Sequence, residues 1–174
     1  EILNDDSEFT MSGGTITTMA DGGTETYGDI LIRPATTSCT GGNIIIDGNS
    51  DQKILSSATL HNITVKEGSS LTVYSNPINA YNISIEDNAA FKSNGYDLTI
   101  RHSISNSNTN AARGVNVGGL QVGSTTQTTY FTSRNMEFEG TEGNKTNFAN
   151  VIISGSLNLK NSNSFLGNSR INSI

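Results

Sequence analysis

Acidic and basic side chains near the middle of the chain are the first candidates for chemistry. Asp47, Asp51, Glu86 and Asp87 are acids, and Arg101 is a cation that could join a carboxylate in one groove. Cleavage of a polysaccharide needs a general acid and a base or nucleophile gathered in one groove. These residues could form such a site only if the fold stacks them together. The enzymatic hypothesis therefore depends on the geometry that the chain imposes.

The histidines offer a second arrangement. His61 and His102 flank Tyr81 along the chain at similar intervals. If those intervals are structural repeats, the two imidazoles share a column at about 10 Å, twice the spacing of adjacent strands. No carboxylate belongs to that column, and the Gly-His-Gly and Arg-x-Lys motifs of pectin hydrolases do not occur in the sequence. No Gly-x-Ser-x-Gly elbow occurs to activate a serine. A catalytic role is not predicted.

A short acidic segment resembles the start of a calcium-binding loop. Asp47, Asn49 and Asp51 place oxygen ligands at alternate positions, as calcium prefers. The EF-hand pattern then requires Gly at its sixth position and Glu at its twelfth, where this chain has Gln52 and Ala58. The segment is predicted to be a polar turn, with calcium as the alternative. No other cofactor is predicted.

Asparagine precedes several short apolar segments. Asn62 and Asn82 lie in Asn-x-Ser/Thr sequons, as does Asn144, which would be glycosylation sites in a secreted eukaryotic protein. The alternative is structural: the side chain stabilises a turn with positive φ, or donates a hydrogen bond to the equivalent Asn one repeat away. Asn43 and Asn150 keep the position without the sequon. The structural role is therefore favoured for Asn43, Asn62, Asn82 and Asn150.

An internal repeat connects these residues. The segment 61–65, His-Asn-Ile-Thr-Val, recurs as Tyr-Asn-Ile-Ser-Ile at 81–85, and Leu71 then aligns with Phe91. The period of about 20 residues is typical of a solenoid. Apolar residues alternate with polar ones, which predicts strands with one buried face. The same alternation recurs at 29–32, 43–46, 97–100, 135–138 and 150–153.

Composition supports an all-β fold with a thin core. Hydrophobic residues make up 33% and charged residues 15%, with 18 Gly, and no window has helical amphipathic spacing. We predict a single-stranded parallel β-helix, a β-solenoid with right-handed winding and rungs of about 20 residues. Residues 1–174 are predicted to be one solenoid segment of a longer chain, because it opens on Glu1-Ile2-Leu3. Residues 103–129 are predicted to be loop-rich and irregular, starting with a loop over 103–114; 140–147 is another predicted loop.

The charge and the remaining residue types limit the classes of partner that this chain could bind. A net charge of -6 with scattered basic residues argues against nucleic acid and anionic membranes. No apolar stretch reaches the length of a transmembrane segment. Cys39 is the single cysteine, so an internal disulfide is excluded, and a small buried side chain is predicted. Four tyrosines could stack on sugars if they are exposed, or could complete the packing of the core. They are Tyr74, Tyr81, Tyr96 and Tyr130.

Four segments resemble repeat-rich secreted and cell-surface β-helical proteins of Bacteroidota. The resemblance is one of composition and rhythm over most of the chain. It is carried by Phe-Thr-Met-Ser-Gly-Gly-Thr-Ile at 9–16, Thr-Tyr-Phe-Thr-Ser at 129–133, Met-Glu-Phe-Glu-Gly-Thr at 136–141, and Val-Ile-Ile-Ser-Gly-Ser-Leu-Asn-Leu at 151–159. It implies export, often by type IX secretion, and a role as an adhesin or surface-layer component.

These observations lead to one predicted function and two alternatives. The prediction is a non-enzymatic structural or adhesive module of a secreted or surface-exposed bacterial protein that binds carbohydrate or protein partners. The first alternative is a fragment of a β-helical polysaccharide lyase or hydrolase, with the central acids gathered by stacking. The second is cargo of a bacterial secretion system, whose partner is the secretion machinery.

Overall fold

The computed structural model describes residues 2–20, 28–107, 119–121, 126–132, 136–139, 149–154, 156–159 and 170–173. Within these ranges the secondary structure is all β, with no helix. The strands are β1 (Ile2–Met11), β2 (Thr15–Thr18), β3 (Ile30–Cys39), β4 (Asn43–Ile46), β5 (Asp51–Ser56), β6 (Thr59–Val65), β7 (Ser70–Val73), β8 (Ile78–Ile85), β9 (Ala90–Lys92), β10 (Leu98–Asn106), β11 (Gly119–Gln121), β12 (Thr128–Phe131), β13 (Met136–Glu139), β14 (Asn150–Ile153), β15 (Leu157–Leu159) and β16 (Arg170–Ser173).

From β1 to β12, successive strands alternate between two parallel sheets. The six-stranded sheet has the order β1-β3-β5-β7-β9-β11, and the ten-stranded sheet contains β2, β4, β6, β8, β10, β12, β14 and β16 in spatial sequence. β13 and β15 join the second sheet through β10. Each turn of the chain, or rung, therefore lies on the one before it. This winding confirms the predicted parallel β-solenoid; its right-handedness stays a prediction.

The core consists of stacked aliphatic columns between the sheets. Ile44, Ile63, Ile83 and Ile104 follow one another in register, and each is at most 2% exposed. Across the core, Leu71 lies beside Phe91, as the repeat predicted. Because each inward side chain is covered by its copies above and below, few apolar residues per rung suffice. Removal of apolar surface from water stabilises this stack.

The turns between the sheets also stack. Asn49, Gly68 and Asn88 occupy equivalent positions and have φ values of 54°, 78° and 54°. Two residues further along the chain, Asp51, Ser70 and Ala90 are in register on β5, β7 and β9. Positive φ is costly for most side chains but accessible to Asn and Gly. The turn-forming composition of these segments thus reflects one repeated backbone conformation.

The first residues of the segment predicted to be irregular belong to a strand. β10 continues through Asn106, with Ile104 buried, instead of giving way to a loop at Ser103. The strand continues because Ile104 extends the isoleucine column. The later boundary differs too, since β12 covers Thr128–Phe131 and Thr129 is buried. Within the predicted segment, Gly119–Gln121 also form a strand, β11. Residues 108–118, 122–125 and 140–147 lie outside the described residues.

Candidate functional site

Three asparagines form a hydrogen-bonded ladder on the outside of the ten-stranded sheet. Asn62 Nδ2 donates to Asn43 Oδ1 at 2.8 Å, and Asn82 Nδ2 donates to Asn62 Oδ1 at 2.6 Å. Ser103 is next in register, and its hydroxyl donates to Asn82 Oδ1 at 2.7 Å. In both amide-to-amide bonds, the N–H therefore points toward the preceding rung. Stacked asparagine side chains of this kind stabilise parallel in-register strands.

The ladder distinguishes between the structural roles considered for these asparagines. Asn43, Asn62 and Asn82 lie within β-strands, and positive φ is found at turn residues such as Asn88. Asn150 occupies another column, opposite Thr128, and its Nδ2 donates to the backbone oxygen of Gln127 at 3.0 Å. Asparagines that precede similar apolar segments in the sequence therefore occupy two different positions in the structure. The Asn144 sequon lies outside the described residues.

A second column runs beside the ladder. Ile45, Thr64, Ser84 and Ser105 are in register on the outward side of β4, β6, β8 and β10. We call this column, together with the Asn43-Asn62-Asn82-Ser103 column, the amide-hydroxyl face. None of its eight side chains is formally charged. Because each strand is about 4.8 Å from the next, the polar groups repeat at that spacing.

An aromatic column borders the amide-hydroxyl face where the long strands bend. The His61 and Tyr81 rings stack with centroids 5.0 Å apart and an interplanar angle of 22°. Arg101 Cζ lies 5.8 Å from the Tyr81 ring centroid. We call His61, Tyr81 and Arg101 the corner column. The stacked geometry is typical of aromatic pairs, and the guanidinium position is typical of a cation–π contact.

The corner column differs from the one predicted, in which His102 followed Tyr81. The β8–β10 register shifts between Ile100 and Ser103, so that Arg101 and His102 together face one residue of β8. The extra residue is a β-bulge, which re-aims side chains locally. His102 Nδ1 consequently lies 2.8 Å from Asn82 Oδ1.

This contact determines the His102 tautomer. Asn82 donates its Nδ2 to Asn62, so the oxygen that faces the next rung is an acceptor. His102 Nδ1 must therefore carry a hydrogen, and Nε2 remains for solvent or a ligand. His102 is exposed. The bulge thus presents a histidine at the rim of the amide-hydroxyl face.

The central acids are engaged separately. Asp51 accepts a hydrogen bond from the Ser70 hydroxyl and lies 3.7 Å from Lys92 Nζ. Glu86 Oε1 lies 2.6 Å from Lys66 Nζ. Asp51 belongs to the six-stranded sheet, whereas Glu86 follows β8 at a turn. The fold does not bring these two carboxylates together with Arg101 in an ion pair among the described residues.

Asp47, Lys66 and Glu86 form a column of alternating charge. Each follows the last residue of its strand, and the amides of Lys66 and Glu86 donate to the oxygens of Ile46 and Val65 one rung away. The hydrogen bond to Glu86 and its negative charge raise the pKa of Lys66, against the opposing effect of desolvation, and Asp47 adds to the rise. The lysine is thereby held as a cation between two acids.

The calcium-loop candidates line or adjoin a shallow cleft. Asn49 and Asp51 contribute to a cavity of about 440 Å³ with Met19 and Gly68. Asp47 Oδ1 accepts a hydrogen bond from the Gly48 amide at 2.7 Å. Over the ranges that the structure describes, no group of three or more His, Cys, Asp or Glu side chains is placed to hold a metal ion. Gly48 and Asn49 have positive φ values of 87° and 54°, as in a turn.

The tyrosines differ in what they can offer a sugar. His61 and Arg101 lie against the Tyr81 ring, so a sugar cannot stack on its face. Lys53 Nζ lies 5.8 Å from the Tyr74 centroid, and Tyr96 packs against the core. Tyr130 lies between Thr99 and Ile152 in register. The exposed polar groups beside Tyr81 are therefore better suited to hydrogen bonding than to ring stacking.

Cys39 is a half-buried thiol that packs against the core. Burial raises its pKa, and a hydrogen bond with the Met11 backbone offsets part of this rise. The side chain is thus less buried than predicted.

The described ranges contain no helix that is long and apolar enough to cross a bilayer. Comparison with known proteins finds no matching family model, no matching curated sequence and no matching solved structure.

Proposed function

We propose that this chain is a non-enzymatic structural and adhesive module of a secreted or surface-exposed bacterial protein. In this proposal the solenoid is a rigid spacer, and the amide-hydroxyl face binds a carbohydrate. The observation that carries the proposal is the Asn43-Asn62-Asn82 ladder, because it fixes a row of uncharged donors and acceptors on the outside of the protein.

Preorganisation supports binding through this face. Asn62 uses one N–H and one oxygen lone pair within the ladder, so its second N–H and second lone pair remain for a partner. Asn82 offers its second N–H, because its oxygen already accepts two hydrogen bonds. Side chains that are already ordered lose little conformational entropy on binding. Thr64 and Ser84 add hydroxyls that donate and accept. A glycan, whose surface is mostly hydroxyl, complements such a face.

The size of the face favours a glycan over a folded protein. Four strands span about 14 Å, and the two columns of the face lie about 7 Å apart along the strand. The face is therefore on the order of 100–200 Å², well below the roughly 800 Å² per partner of a stable protein interface. A single extended glycan chain fits this area.

The positions of the charged groups support the non-enzymatic part of the proposal. Asp51 and Glu86 each bind a different lysine, so they are not gathered in one groove as a pair of catalytic carboxylates would be. They also lie away from the amide-hydroxyl face, at a turn and on the other sheet.

Glycan binding can be tested by affinity electrophoresis through gels that contain β-glucan, pectin or alginate. We expect the wild type to be retarded by at least one of these polymers. Ser84→Glu places a charge on the face without touching the ladder and should weaken binding about tenfold. Thr72→Glu is the matched control, because Thr72 lies between Lys53 and Lys92 on the six-stranded sheet.

Three results would contradict the proposal. Absence of retardation in all three gels would remove the adhesive role, and equal effects of the two substitutions would remove the assigned face. Release of new reducing ends from any of the polymers would remove the non-enzymatic assignment.

A further inference from the structure

Arg101 is the one formally charged residue on the corner column, and it has no acidic partner among the described residues. The described ion pairs are Lys66–Glu86 and Lys92–Asp51. In a chain with 16 acidic and 10 basic residues, a half-buried arginine without a carboxylate is unusual, since burial disfavours an uncompensated charge.

Two neighbours hold the Arg101 guanidinium. Nε donates to Asn79 Oδ1 at 3.0 Å, and Cζ lies 5.8 Å from the Tyr81 ring centroid. These contacts occupy one edge and one face of the guanidinium, and the terminal Nη atoms keep their donors. Arginine with free terminal nitrogens matches a carboxylate through two parallel hydrogen bonds.

His102 is the neighbour of Arg101 in the bulge. Its Nδ1–H is directed to Asn82, which leaves Nε2 to accept from a ligand hydroxyl. The bulge places Arg101 and His102 side by side at the border of the amide-hydroxyl face. A sugar acid carries both groups that this pair recognises, a carboxylate and adjacent hydroxyls.

We infer that Arg101 and His102 form a subsite for the carboxylate of a uronic acid within an otherwise neutral glycan. This inference rests on the proposed function and names its substrate class. The net charge of -6 repels a dense polyanion. Salt screens charges beyond about 8 Å at physiological ionic strength, so an isolated carboxylate next to Arg101 is attracted by Arg101 more than it is repelled by the rest of the protein.

A glycan fits this subsite better than an acidic peptide does. Peptide recognition generally uses apolar pockets for alternate side chains or a free strand edge. The exposed large hydrophobic side chains among the described residues are Ile16 and Met19, which lie on or just after β2. The neighbours of Arg101 are instead the amides and hydroxyls of Asn79, Asn82 and Ser103.

The test compares acidic polymers with their own carboxyl-reduced forms. Glucuronoxylan and partially methyl-esterified pectin carry sparse uronates, and chemical reduction converts each carboxylate to a neutral alcohol. We expect the wild type to bind at least one acidic form about tenfold more tightly than its reduced form. Arg101→Gln should abolish this preference while binding to the reduced form persists. Arg101→Lys should keep part of it, because lysine supplies charge without the planar pair of donors.

Two further variants serve as controls. Arg33→Gln removes the same charge from an exposed position on β3 and should leave the preference unchanged. Glu137 is opposite Ser103 in register, so Glu137→Gln removes a negative charge from the strand next to β10 and should strengthen binding to the acidic form. Circular dichroism and thermal melting establish that each variant is folded.

The outcomes separate this inference from the proposed function. If the wild type binds acidic and reduced forms equally, or Arg101→Gln keeps the preference, the uronate subsite is overturned and glycan binding by the face stands. If neither form of either polymer binds, the uronate subsite is overturned, and the proposed function then depends on the β-glucan and alginate gels. Equal binding of a poly-glutamate peptide would overturn the assignment of the ligand as a glycan.

Discussion

The rungs between β4 and β10 differ from those that begin at β12. In the first region the ladder partners are 19, 20 and 21 residues apart. In the second, Thr128 bonds to Asp97 across 31 residues, and Asn150 bonds to Gln127 across 23. Both regions bury an apolar column, since Ile100, Phe131 and Ile153 follow one another in register. The apolar column alone therefore does not require a constant period.

The side-chain ladder accounts for the difference. An amide-to-amide hydrogen bond forms only when equivalent residues are stacked one strand apart, which limits how the connecting turns can vary. Asn150 bonds to a backbone oxygen, which every residue provides, so this contact imposes no such limit. Longer connections cost little entropy once the strands are paired.

The largest expected effect comes from the shared core. Phe91 and Phe131 are both fully buried, one in each region. Phe91→Ala and Phe131→Ala should each lower the free energy of unfolding by about 3–5 kcal/mol, because each leaves a cavity. Urea denaturation measures the loss, with the exposed Thr37→Ala as control. We expect a single transition in all variants, and two separate transitions would show that the regions unfold independently.

The ladder should contribute more to stability than the Asn150 side chain. Asn62→Ala removes the acceptor of Asn82 Nδ2 and the donor to Asn43 Oδ1, at a cost of about 1–3 kcal/mol. Asn150→Ala removes the side-chain bond to the Gln127 backbone oxygen and should cost about 1 kcal/mol. Chemical denaturation of both variants compares them directly. Equal losses would contradict the special role of the ladder.

The stacked turns provide a smaller effect. Gly68 has φ of 78°, and an added Cβ would collide with Asn49 Oδ1. Gly68→Ala should destabilise by about 1–2 kcal/mol, the cost of left-handed backbone for an L-residue. Asn88→Gly at the equivalent position is the control and should change stability by less than about 0.5 kcal/mol. If Gly68→Ala left the stability unchanged, the left-handed conformation of this turn would not be required for folding.

The charged column should have the smallest effect, confined to alkaline pH. Glu86 raises the pKa of Lys66 above its usual 10.5, so the folded state holds this proton more strongly than the unfolded state. The stabilisation is fully present below pH 10.5 and is lost as pH rises through the folded-state pKa. Melting temperature measured across this range should fall more for the wild type than for Lys66→Gln. Parallel curves would contradict the pairing.

Local pattern predicted some features of this protein and missed others. The alternation at 61–65 and 81–85 predicted two strands with one buried face, and their register confirms that they stack. The column assigned to His61, Tyr81 and His102 was wrong in its last member, because a bulge cannot be read from alternation alone. Arg101 was considered with the acids and is found against Tyr81.

The amino-acid sequence by itself determined the fold class, the turn positions and the approximate rung length. These follow from alternation, Gly and Asn placement and repeat spacing, which are local properties. Tertiary structure alone decided which residues are neighbours across rungs. It placed Asn62 against Asn43 and Asn82 but sent Asn150 to another column. The physical reason is that column membership depends on register, and only the pairing between rungs decides whether an extra residue shifts the register or is absorbed in a bulge, as at Arg101 and His102.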